Sequence, residues 1–156
     1  MKENTIKIHL NTHDSYKNKY NNEILSNDLF KYILDEIKGY SIKQKIKFHI
    51  TSDFKLTNEE KDIIIDMIRN SFGTDISEIM NASKKKNLAN GLILFVGIIF
   101  LILYTCFNFK FLSEFILILG WVFIGEAICN FLYNTIENKL NIIRRKQITN
   151  AKVIFK

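Results

Sequence analysis

Leu88–Phe107 reads LANGLILFVGIIFLILYTCF, and Leu112–Tyr133 reads LSEFILILGWVFIGEAICNFLY. An apolar helix of about 20 residues, at about 1.5 Å rise per residue, spans a hydrocarbon core about 30 Å thick. Each run meets that length with almost no charge. The link between them, Asn108–Phe111, is too short for a domain, so the pair is expected to form a transmembrane helical hairpin. Lys110 marks its outer turn.

Outward from the hairpin the composition changes. Residues 1–87 are dense in Lys, Asn, Asp and Glu, and this leaves room for one small domain. Much of the net charge of +6 sits in Lys84–Lys86 and in Lys139, Arg144, Arg145 and Lys146, which flank the apolar runs. Positive charge beside membrane segments marks a cytoplasmic face. This placement argues against nucleic acid as a partner and for a lipid bilayer. Met1–Asn22 holds no apolar stretch, so the first apolar run is expected to act as the targeting signal, with both termini cytoplasmic. The absence of proline and the abundance of Asn, Ile and Lys suggest an AT-rich, bacterial genome, and hence a multi-pass protein of a bacterial cytoplasmic membrane.

Thr5–Leu10 alternates, with Ile6, Ile8 and Leu10 opposed to Lys7 and His9. Lys45–Thr51 repeats the pattern, Ile46, Phe48 and Ile50 opposing Lys47 and His49. Period-two alternation of this kind predicts strands of a sheet covered on one face. A helix is expected over Asp28–Lys38, capped by Ser26 or Asn27 and stopped by Gly39. A second follows Thr57, whose capping box is completed by Glu60, and is expected to end at Gly73. A further helix starts at Asp75 and continues through the lysines into the first apolar run. The fold class expected is an α+β membrane protein. A βαβα cytoplasmic domain (1–83) precedes a transmembrane hairpin (84–134, helices about 88–107 and 112–133). A cytoplasmic amphipathic tail (135–156) ends the chain, and its last residues can return to the sheet as a third strand.

Three groups of residues are candidates for function. Glu126 lies at membrane depth, where an ionisable group costs about 2.5–3.5 kcal/mol on insertion scales. With Asn130 and Asn134 it forms a polar stripe on the inner half of the second helix, facing the glycine-containing stretch Gly91–Gly97 of the first. Trp121 and the cysteines Cys106 and Cys129 are expected to pack between helices, the cysteines too far apart in depth for a disulfide. The exposed sheet face presents Lys7, His9, Lys47 and His49 as a ligand or partner face for an anion. The long loop after the first strand offers His13, Asp14, Ser15 and Tyr16 as a pocket opposite Ser52 and Asp53.

No glycine-rich phosphate loop, GxSxG or HExxH motif is present, and the three histidines lack a ligand spacing. Neither an enzyme, a catalytic residue, a metal nor a cofactor is therefore expected. In architecture, though in no motif, the chain is similar to small two-span effectors of bacterial antiviral signalling systems. That resemblance implies a domain that responds to a small-molecule ligand or partner and hairpins that assemble as a homo-oligomer, with a pore as one form of the assembly. The alternative is a non-catalytic anchor or assembly subunit bound to a membrane protein partner.

Overall fold

The computed structural model describes residues 4–106 and 110–156. In chain order the elements are β1 (Thr5–Leu10), α1 (Asn27–Lys38), β2 (Lys47–Ser52), α2 (Asn58–Cys106), α3 (Lys110–Thr149) and β3 (Lys152–Phe155). The chain is mixed α+β, with one three-stranded sheet and two helices long and apolar enough to cross a membrane. It divides into an α/β unit, Met1–Glu78 with Asn141–Lys156, and a hairpin unit, Ile79–Leu140.

The sheet order is β1-β2-β3, and both pairs are parallel. Parallel neighbours require a crossover connection, which α1 supplies between β1 and β2. The connection from β2 to β3 runs through α2 and α3. Residues 79–140 are therefore an insertion within a crossover of the α/β unit, not an appendix to a finished domain. The final segment does return as a strand, with Phe48 opposite Val153 and Ile50 opposite Phe155.

Alternation places Ile6, Ile8, Leu10, Phe48 and Ile50 on the buried sheet face. Ile33 and Ile37 of α1, Ile64, Met67, Ile68 and Phe72 of α2, and Ile148 of α3 complete the core, with Tyr16 and Leu25 from the first loop. Phe30 stacks on Phe72 with ring centroids 4.4 Å apart. Asp75 accepts a hydrogen bond from Arg145 Nε, tying the two separated parts of the unit together across 70 residues of chain.

Local chemistry explains the element ends. Ser26 caps α1 by accepting from the Leu29 N–H at 3.4 Å, and α1 ends before Gly39. Thr57 and Glu60 form the reciprocal capping box, Thr57 N–H to Glu60 Oε2 at 2.8 Å and Glu60 N–H to Thr57 Oγ1 at 3.2 Å. The outer edge of β1 is closed by tyrosines: the Tyr40 hydroxyl donates to Thr5 O at 3.1 Å and the Tyr32 hydroxyl to Lys7 O at 2.8 Å. Such caps occupy an edge that otherwise invites pairing with another chain.

Two expectations about helix ends need correction or limiting. Gly73 does not end α2, which passes through it without a break to Cys106. Glycine inside a helix costs only about 1 kcal/mol relative to alanine, and the buried residues that precede it, Ile68 and Phe72 among them, anchor the helix that runs on through it. The expected outer turn Asn108–Phe111 lies largely outside the described residues, and Lys110 is already the first residue of α3.

Candidate functional site

Within the hairpin unit, the two helices approach closely at glycines. A Cβ on Gly97 would lie 2.7 Å from Ile124 Cγ1 and 3.1 Å from Gly120 O, and one on Gly120 would lie 2.8 Å from Leu101 Cδ2. Phe100 stacks on Phe123 with centroids 5.6 Å apart. This antiparallel register, followed down by helix rise, brings Asn87 and Asn90 of α2 to the level of Asn130 and Asn134 of α3. Asn90 is only 8% exposed, and its Nδ2, like Asn87 Oδ1, is buried without a hydrogen-bond partner. Asn130 and Asn134 are half-buried, whereas Glu126 is exposed. The hairpin interior thus holds a seam of asparagines, and Glu126 lies outside it.

Three hairpin residues depart from their expected places. Trp121, expected between the helices, is 63% exposed. Cys106 and Cys129 are free thiols, as their difference in depth requires, but both are exposed and not packed inside. In a helix that is apolar all round, composition does not say which side faces the neighbouring helix; the close approach at Gly97 and Gly120 decides it. Asn87 and Asn90 escaped the sequence reading because they fall at the polar start of the first run, where asparagine looks like ordinary flank. Their i, i+3 spacing was the available signal.

In the α/β unit, the open sheet face gathers the predicted basic residues. Lys7 pairs in register with His49, Thr5 with Lys47, and His9 with Thr51. The third strand adds Lys152 beside Lys47 and Ile154 beside His49. His9 is held at both nitrogens, Nδ1 lying 2.9 Å from Thr51 Oγ1 and Nε2 3.3 Å from Asp53 Oδ1. This order of hydroxyl, imidazole and carboxylate stands in water, since the side chains of His9 and Asp53 are more than half exposed. Nothing about it shields a nucleophile.

The loop after β1 folds on itself through a bridge between Lys17 and Leu25. His13 packs against Phe54 with ring centroids 3.9 Å apart and planes tilted by 38°, and its Nδ1 lies 3.1 Å from Glu60 Oε1. Glu60's carboxyl is held below the usual carboxylate range, chiefly by the Thr57 backbone N–H, against a smaller opposing effect of burial, with the Thr57 hydroxyl and His13 adding to the lowering. Asp14 lies 3.9 Å from Lys17 Nζ, and Ser15 Oγ donates to Thr12 O at 2.6 Å. Tyr16 is buried in the core and reaches only the edge of an open groove shared with Lys17 and Glu60. Of the two residues expected opposite this loop, Ser52 donates to Phe54 O at 2.6 Å and Asp53 faces His9.

Among the described residues no three His, Cys, Asp or Glu side chains group closely enough to hold a metal ion. Compared with known proteins, the chain matches no family model, no curated protein and no solved structure.

Proposed function

We propose that this chain is a two-span, non-catalytic membrane effector. The runs Leu88–Phe107 and Leu112–Tyr133 cross a bilayer with both termini on the cytoplasmic side, and the α/β unit responds to a ligand or partner. Hairpins of several copies then assemble side by side, with a pore as the product. The observation that carries this reading is the exposure of the apolar helices. Only 11% of the apolar window of α2 and 17% of that of α3 are buried within the chain. Surfaces that apolar require lipid or further copies to cover them. Lipid alone would cover a passive anchor equally well, but the exposed Glu126 is poorly served by hydrocarbon and well served by a polar neighbour in another copy.

The test is the mass of the detergent-purified protein together with a membrane-potential dye in cells expressing it. A ring of several chains and depolarisation altered by Glu126→Gln are expected. A monomer without depolarisation would leave the anchor reading, because two helices cannot enclose a channel.

A further inference from the structure

The end of α3, from Asn141 on, lies within the α/β unit, and one groove of about 270 Å³ opens between it and α1. Lys31, Asp35 and Lys38 of α1 and Asn141, Arg144 and Arg145 of α3 line it, four cations around one carboxylate. That carboxylate is already engaged, Asp35 Oδ1 lying 2.7 Å from Lys38 Nζ. Arg145 is engaged too, by Asp75 at Nε and by Asn141 O at 3.3 Å from Nη1. Arg144 differs: its Nε is buried without a hydrogen-bond partner. A guanidinium left without an acceptor by its own chain is unfavourable, and an anion entering the groove that Arg144 lines supplies one to the side chain.

A second groove, about 500 Å³, flanks the same stretch of α3 and is lined by Lys43, Lys45 and Lys146 with no carboxylate among its walls. The potential around this end of α3 is therefore positive beyond the first groove. Arginine's planar fork matches phosphate oxygens, which accept two parallel N–H bonds. Cavities that enclose a whole small organic ligand typically run from about 300 to 1,000 Å³, so the smaller groove fits a single phosphoryl group better than a nucleotide.

We propose that the groove lined by Lys31, Lys38, Arg144 and Arg145 binds a phosphoryl group, carried either by a soluble phosphate or by a phospholipid head. The proposal rests on the reading above in one respect only: it gives the ligand-responsive unit a ligand chemistry.

The full chain in an uncharged detergent provides the test. One arm titrates inorganic phosphate by calorimetry. The other mixes the protein with phosphatidylcholine or with phosphatidic acid and reads retained lipid by native mass spectrometry. Saturable binding of phosphate or selective retention of phosphatidic acid is expected. Either should weaken at least about tenfold in Arg144→Gln and in Lys31→Gln, the loss of one charge-assisted bond, and stay unchanged in Lys55→Gln. Binding in the first arm alone identifies a soluble ligand, and in the second alone a lipid head. Lys31 is exposed, so its variant decides the matter if Arg144→Gln does not fold. Absence of binding in both arms, or binding unchanged in Lys31→Gln and in any folded Arg144→Gln, overturns the site. The same mass spectra give the number of chains per particle, so failure here is separable from failure of the assembly reading.

Discussion

One unbroken helix, α2, passes through two kinds of surroundings. In the α/β unit, Ile64, Met67, Ile68 and Phe72 recur at helical spacing and are all but inaccessible. In the hairpin unit, Leu92, Phe95 and Ile102 are as apolar, yet each is about 60% exposed in the single chain. The first segment is amphipathic, so one stripe meets a sheet and the other side meets water. The second is apolar all round, so a single neighbouring helix covers only a fraction of it. Apolar content tells how much surface needs covering; periodicity tells whether the chain itself can cover it.

The largest expected effect comes from truncating the covered stripe. Phe72→Ala removes a fully buried ring stacked on Phe30 and should destabilise the α/β unit by about 3–5 kcal/mol. Leu92→Ala, on the exposed face, should change the thermal midpoint in detergent by little, within about 0.5 kcal/mol. Equal losses in the two variants would show that Leu92 packs against protein, a further copy included, and not against lipid.

A charge sharpens the comparison from the other side. Ile98→Arg places a guanidinium near the middle of the apolar run of α2, on an exposed position. Insertion into a bilayer should become less favourable by about 2.5–3.5 kcal/mol, read as glycosylation-site mapping of a membrane-targeted fusion. An exposed arginine on a water-facing helix would leave both location and stability unchanged.

How much of this was legible in the sequence follows the same division. Alternation in Thr5–Leu10, the capping box of Thr57 and Glu60, and the two apolar runs are local patterns, and each element formed where its pattern lay. The third strand was visible only as a short alternating tail, since four residues carry little periodicity. That residues 79–140 interrupt a crossover was not legible. It depends on pairings such as Asp75 with Arg145 and Phe48 with Val153, far apart in sequence and without any repeating signal. Tyr16 makes the point at one residue: amid a polar loop it read as pocket lining, yet its ring is core, because loop geometry rather than period turns it inward. Gly73 shows the reverse, a local stop signal overruled by tertiary burial of its neighbour Phe72. The candidate phosphoryl groove was hidden for a related reason. Arg144 and Arg145 read as a membrane-flanking cluster, and only the return of α3 to the α/β unit sets them beside Lys31 and Lys38.

The smallest effect concerns the start of α2, where both surroundings depend on one helix being nucleated. Thr57→Ala removes the hydroxyl that accepts from the Glu60 N–H and should cost about 1 kcal/mol. The same box predicts a pH dependence. Glu60's carboxyl is held below its ordinary value of 4.5 by the Thr57 backbone N–H, so the folded state favours the ionised form. A group depressed in this way stabilises fully above its unfolded value, and the contribution is lost as pH falls through the folded value. Midpoints measured from pH 7 downward should therefore fall more steeply below about pH 4.5 in the native chain than in Glu60→Gln, which has no carboxylate to protonate. The loss should register in the melting of the α/β unit, followed by near-ultraviolet circular dichroism of its tyrosines. The Trp121 signal of the hairpin should change less, because the helix beyond Glu78 belongs to a separate compact unit, remote from the cap. If both signals weaken together from the same pH, α2 transmits the state of its first turn along its whole length, and its two ends behave as one cooperative element despite their different surroundings.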